Sequence, residues 1–190
     1  MSYAFITGIP AAGKSHLAAK MARATGALHV EIDALKEEMT KNLETDPWVN
    51  FFLNKDEEEY WRTTSPKEDW ENLEKQSEAF WPHILKKINE VVRSEETAIF
   101  EGVNILPHLA SRDLKFSGVV LLGASFEEVF ERNKKEPRWG KTEVLQRREA
   151  EAFFYDEGPR YRREAKQYGF KTFSDPMSAE KELLRLMDSE

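Results

Sequence analysis

The chain has 190 residues, 40% of them hydrophobic and 33% charged, and a net charge of −7. That length suits one domain with its own core, and the negative balance argues against a broad nucleic-acid-binding surface, which needs basic charge. Cysteine is absent, which excludes disulfides and thiolate metal sites; with no apolar run near the ~20 residues of a membrane span and no basic leader, the expectation is a cytoplasmic protein.

Residues 3–7 form a short apolar run that meets a glycine loop, the pattern of a buried strand. A helix is expected over 14–25, with Leu17, Ala18 and Met21 on one face and Gly26 as a left-handed cap. Residues 28–32 read as a second strand, and Asp33 as the cap of a helix over 34–42. The stretch 44–64 breaks the alternation and reads as a partly helical insertion carrying Trp48, Phe51, Phe52, Tyr60 and Trp61. Ser65 and Glu68 form a capping box, with Pro66 in the first turn of a long amphipathic helix. Pro82 falls inside that helix and should kink it or start a new one.

Further strands are expected over 97–100, 117–122 and 170–173, with helices from Ser125 to about residue 135, before Gly169, and over 178–187. Ser125 and Glu128 read as a second capping box. Strands alternating with helices indicate parallel βαβ units, hence a single three-layer α/β/α domain over 1–190 with a five-stranded parallel sheet.

The loop Gly8-Ile9-Pro10-Ala11-Ala12-Gly13-Lys14-Ser15 matches the Walker A pattern. Its glycines let backbone N–H groups approach phosphate oxygens, and the following helix points its positive end at the same anion. Lys14 is expected to reach the β- and γ-phosphates of ATP, and Ser15 to ligate Mg2+. Ala11, Ala12 and His16 complete the expected nucleotide contacts. The four histidines (His16, His29, His83, His108) show no zinc-type spacing.

Ligands of open parallel sheets sit beyond the carboxyl ends of the strands. Asp33 falls there, as a proton acceptor for a substrate hydroxyl or as a plain helix cap. Glu101 falls there too, as a water-mediated magnesium ligand or as a strand-end acid. Between residues 132 and 148, seven cations face two acids, and Pro137 and Gly140 interrupt the segment. This is a basic lid or a solvated basic face; Arg132 and Arg138 are its leading catalytic candidates, and physics alone does not separate Arg138 from Arg147.

These segments, 8–15, 31–35, 101–104 and the arginine-rich lid, resemble the P-loop kinases of the nucleotide- and metabolite-kinase type. Within them the chain is similar to 2-phosphoglycerate kinase-like and zeta-toxin-like ATP-binding proteins. The resemblance implies strand order 2-3-1-4-5, an acceptor site lined by the segments after the second and third strands, and adenine near Ser174-Asp175-Pro176. Asn104 stands where the phosphoglycerate kinase group has histidine. The expected activity is transfer of the γ-phosphoryl group of Mg-ATP to a hydroxyl of a small polar metabolite, with no membrane partner. Two alternatives stay open. One is a nucleoside, nucleotide or polynucleotide kinase, in which the insertion aromatics stack on bases instead of forming its core. The other is a non-catalytic ATP-binding module.

Overall fold

The computed structural model describes residues 1–39 and 46–188. Strand β1 (Tyr3–Gly8) is central, because Ala4, Phe5 and Ile6 are fully buried and both of its edges are paired. It runs parallel to β3 (Ala98–Glu101) on one side and to β4 (Gly118–Leu121) on the other. Strand β2 (Leu28–Glu31) adds outside β3, and β5 (Lys171–Phe173) outside β4. The order is β2-β3-β1-β4-β5 with every pair parallel. The register puts Ile6 and Glu31 on either side of Glu101, so the carboxyl ends of β2 and β3 finish level.

Helices cover both faces of the sheet, as parallel crossovers require. Helix α1 (Lys14–Thr25) packs beside α9 (Pro176–Asp188). The other layer contains α4 (Pro66–Arg93), α5 (Pro107–Asp113) and α8 (Gly158–Tyr168). Among the described residues no helix is long and apolar enough to cross a membrane.

Local differences from the sequence reading have physical causes. Helix α2 (Ile32–Met39) starts one residue after β2, so Asp33 lies in its first turn and does not cap it. Fully buried Ile32 anchors this abrupt strand-to-helix switch. The expected continuation over residues 40–42 lies outside the described residues. The insertion holds a 3-10 turn (Phe52–Asn54) and helix α3 (Glu57–Thr63); its residues 44 and 45 also lie outside them.

Helix α4 is continuous through Pro82, and no new helix starts there. Proline removes one backbone donor, but the buried face on both sides of it, Phe80, Trp81, Ile84, Ile88 and Val91, keeps the helix unbroken. The Ser65–Glu68 capping box is present in both directions. The second box is half made: Ser125 Oγ accepts from the Glu128 N–H at 3.2 Å, while the Glu128 carboxylate pairs with Arg132. Helix α5 is an element the pattern reading missed. The basic segment 132–148 falls in a helix–loop–helix: α6 (Phe126–Lys135), a short connection, and α7 (Glu143–Glu151). From α7 the chain runs through a π-helical stretch, Ala152–Glu157, into α8.

Candidate active site

The phosphate loop begins where β1 ends. Gly8 has φ 122°, and a Cβ there would stand 2.0 Å from the Leu121 carbonyl oxygen, so only glycine fits. The Ile9 N–H donates to that same carbonyl at 3.2 Å and fixes the loop's departure angle. Ala11, at φ 55°, holds the left-handed conformation without being glycine, a strained state of the kind that clusters at ligand sites. Helix α1 then opens with no side-chain cap and no acid in its first turn. Its first N–H groups lack the side-chain acceptor that usually satisfies a helix start, and they are suited to an anion.

Lys14 is buried, and its Nζ donates to the Ile9 carbonyl at 2.7 Å. Burial lowers its pKa to about 8, although Glu101 pulls the other way. Arg138 lowers it further, and Asp33 and Glu157 raise it. One lysine thus lies within the field of three carboxylates and one arginine.

A cavity of about 250 Å³ lies against the loop, bounded by Ala11, Gly13, Lys14, Ser15 and His16 on one side and by Arg132, Lys135, Glu136 and Arg138 of the basic segment on the other. Arg132 lies across the loop: Nη1 donates to the Ala12 carbonyl at 3.0 Å and to Ala11 at 3.4 Å. Arg147 is elsewhere, its guanidinium 4.7 Å from the Phe130 ring centre and 5.5 Å from that of Phe126. Ser174 lines a different groove, with Leu122, Tyr155, Arg162 and Arg163. The residue of its loop that approaches the phosphate loop is Pro176, whose Cγ would lie 3.4 Å from a Cβ on Gly13.

Glu101, at the end of β3, is 4% exposed. His29 bridges it to Glu31, with Nε2 3.8 Å from Glu101 and Nδ1 3.7 Å from Glu31. This clustering of His29, Glu31 and Glu101 is created by strand register and has no signature in linear spacing. Asp33 Oδ1 faces Lys36 Nζ at 3.5 Å, and Lys36 donates to Asn104 Oδ1 at 3.5 Å. Asn104 is fully buried and donates to Gln76 Oε1 at 3.2 Å and Ser77 Oγ at 2.9 Å. It therefore ties the segment after β3 to α4.

A second cavity, of about 220 Å³, adjoins the first. Its apolar walls are Pro10, Phe52, Leu53, Trp61, Leu73, Val103, Trp139 and Phe153. Its polar lining is Lys36, Asp69, Gln76, Arg138, Glu149 and Glu157. Trp139 of the lid packs on the insertion, with ring centres 5.4 Å from Tyr60, 6.1 Å from Trp61 and 6.3 Å from Phe52. Trp48 and Phe51 stack on each other at 4.7 Å and do not line this cavity. The sequence reading singled out neither Trp139 nor the acids Asp69, Glu149 and Glu157. Tryptophan between Arg138 and Gly140 in an otherwise basic segment was the available signal.

No protein-family model and no curated protein matches the sequence. Among solved structures, the shikimate kinase from Acinetobacter baumannii in complex with shikimate aligns over 100% of this chain and 94% of its own, with a TM-score of 0.56 at 14% identity. The deoxyadenosine kinase from M. mycoides with bound dATP aligns over 100% of both chains, with a TM-score of 0.53 at 16% identity. At these identities the likeness is one of fold. The chain has the three-layer α/β/α fold of the P-loop nucleotide and metabolite kinases. These neighbours do not single out the 2-phosphoglycerate kinase-like or zeta-toxin-like branch.

Proposed function

We propose that this protein is a phosphotransferase that moves the γ-phosphoryl group of Mg-ATP to a hydroxyl of a small polar metabolite. The observation that carries the reading is the position of Arg138, which lines both the cavity at the phosphate loop and the adjoining cavity. A nucleotide switch needs one cavity. A transferase needs two that meet where the phosphoryl group crosses, with a cation at the crossing to offset developing charge.

In this reading the loop N–H groups and Lys14 hold the triphosphate, and Lys14 leaves the Ile9 carbonyl to do so. The acceptor oxygen forms a bond to the γ-phosphorus, the bond to the β–γ bridging oxygen breaks, and ADP leaves. The acceptor's proton passes to Asp33, whose ion-pair partner Lys36 holds it at the mouth of α2. The site's oxygen donors, the Ser15 hydroxyl and the Glu101 carboxylate, fit magnesium, which prefers oxygen and retains waters. Bound there, the ion would neutralise charge on the β- and γ-phosphates. Arg132 steadies the loop from above through its carbonyls.

The two solved neighbours are named as kinases of a small acid and of a deoxynucleoside, which supports transfer to a small hydroxyl compound. A nucleoside acceptor is the second reading, because Phe52, Trp61 and Trp139 line the acceptor cavity and aromatic rings stack on bases. The deciding experiment measures ADP formation from Mg-ATP with a broad panel of hydroxyl metabolites and nucleosides. Stimulation by one acceptor, with its phosphorylated product seen by mass spectrometry, is expected. ATP binding without stimulation by any acceptor would leave a binding module instead.

A further inference from the structure

Glu157 closes the π-helical stretch and lines the second cavity together with Phe153, four residues earlier in that stretch. Widened helical turns of this kind recur at functional sites. Glu157 is 7% exposed, and its Oε2 has no hydrogen-bond partner among the described residues. A carboxylate so placed has lost its hydration with nothing in return unless something supplies a donor. Asp69, 5% exposed, lines the same cavity and accepts the Tyr60 hydroxyl at 2.6 Å.

Lys14 acts on Glu157 through space, Arg148 and Arg160 act on Asp69, and Arg138 lines the same cavity, yet among the described residues none of them donates a hydrogen bond to Glu157 Oε2. Lys14 is bound to the Ile9 carbonyl and would be drawn to the triphosphate. Lys36 serves Asp33 and Asn104. Arg148 lies over the Trp61 ring at 5.6 Å and Arg160 over the Trp70 ring at 5.9 Å. Glu149, the third acid of the cavity, is provided for: it accepts Asn133 Nδ2 at 2.9 Å and the backbone N–H groups of Gly140 and Trp139. Gln76 is also spent, donating to the Val49 carbonyl at 3.1 Å and accepting from Asn104. What remains is two buried acids, Asp69 and Glu157, lining the same cavity as Phe52, Trp61 and Trp139, and aromatic ring faces attract cations.

We infer that the phosphoryl acceptor is a hydroxylated amine, its ammonium group seated against Glu157 and Asp69 between the aromatic rings. The inference rests on the phosphotransferase reading for the word acceptor, and on the cavity alone for the amine. Burial holds both carboxyls above their ordinary range; Asp69 raises Glu157 further, and Asp156 raises both. A cation between them relieves both the lost hydration and the mutual repulsion. A carboxylate or phosphate on the acceptor would meet the same two acids and be repelled.

The test uses the full chain with magnesium and matched probes that differ by the amine: D-glucosamine and D-glucose, 2-amino-1,3-propanediol and glycerol, choline and 3,3-dimethyl-1-butanol. Binding is measured by calorimetry in the presence of a non-hydrolysable ATP analogue, and turnover by ADP release with ATP. The expected result is an amine that binds at least about tenfold more tightly than its neutral partner, the combined effect of the ring faces and the acids. That advantage should shrink by about tenfold in Glu157→Gln; Asp69→Asn is the second variant should the first fail to fold. Equal binding of amine and neutral partner in every pair, no binding of any amine, or an advantage surviving in both variants would overturn the inference. A neutral or anionic compound that alone turns over ATP would overturn it too while leaving the phosphotransferase reading intact. Amine binding with no ADP release from any acceptor would instead sink the phosphotransferase reading and leave the amine site standing.

Discussion

The Lys14 ammonium donates to the carbonyl of Ile9 at 2.7 Å, across the loop that both residues help to form. The cation that a triphosphate would attract already lies inside the ring of backbone that would hold the phosphates. It is paired there with a neutral group, and burial brings its pKa down to about 8.

A pH dependence of ATP binding follows. The pKa is depressed in the empty protein, so the amine is charged well below about 8 and neutral well above it. The triphosphate favours the charged form, so binding at high pH must take up a proton. Affinity for ATP should weaken by about tenfold from ~pH 7.5 to ~pH 9.5, with calorimetric proton uptake approaching one at the upper end. Affinity that stays flat across this range would contradict the placement of Lys14 at the phosphates.

Lys14→Met separates binding from folding. It removes the phosphate contact but also removes the cost of burying an amine. ATP affinity should fall by about 100-fold or more, on the scale of a lost charged contact in a desolvated site. Thermal stability of the empty protein should hold or rise. A fall in both would mean that the bond to Ile9 is chiefly structural.

Two glycines should respond to alanine with very different severity. At Gly26 a Cβ meets nothing within 4 Å, so only the left-handed φ of 73° is penalised. Gly26→Ala should cost about 1–2 kcal/mol in chemical denaturation. At Gly8 the added Cβ would stand 2.0 Å from backbone. Gly8→Ala should not give a folded protein, as read by circular dichroism and solubility.

The phosphate loop was legible because its chemistry is local: eight consecutive residues carry both the turn and the ligands. Glu101 was legible as a strand end, because apolar runs mark where strands stop. Asp69, Trp139 and Glu157 were not, although they line one cavity. Each comes from a different element and looks ordinary where it stands: an acid in the first turn of a helix, an aromatic in a lid, an acid near the start of α8. Only the packing of α4, the lid and the π-helical stretch brings them together. Pro82 shows the converse, a strong local signal for a break that the buried face of α4 overrides. Asp33 lies between these cases. Its place beyond β2 was read from the chain, but its capping role was not realised, because the helix begins at Ile32.

Asp33→Asn tests the proton acceptor. The amide keeps the shape of the side chain and cannot take a proton. Acceptor-dependent turnover should drop by about 100-fold or more, with ATP affinity changed by much less. Unchanged turnover would assign Asp33 to holding Lys36 alone.

Arg138 and Arg147 were equivalent in the sequence and are not in the structure. Arg138 lines both cavities, whereas Arg147 lies over the rings of Phe126 and Phe130 on α6. If Arg138 offsets the charge that develops as the phosphoryl group crosses, Arg138→Ala should lower kcat by about 100- to 1000-fold and barely move the melting temperature. Arg147→Ala should do the reverse. Losing its contacts with the two rings should cost about 0.5–1 kcal/mol of stability, with kcat within a few-fold of the parent. Measuring kcat and melting temperature for both variants separates the roles, because each variant is expected to move the quantity that the other leaves in place. A kcat defect in Arg147→Ala equal to that of Arg138→Ala would mean that the lid swings Arg147 off the rings when the nucleotide binds.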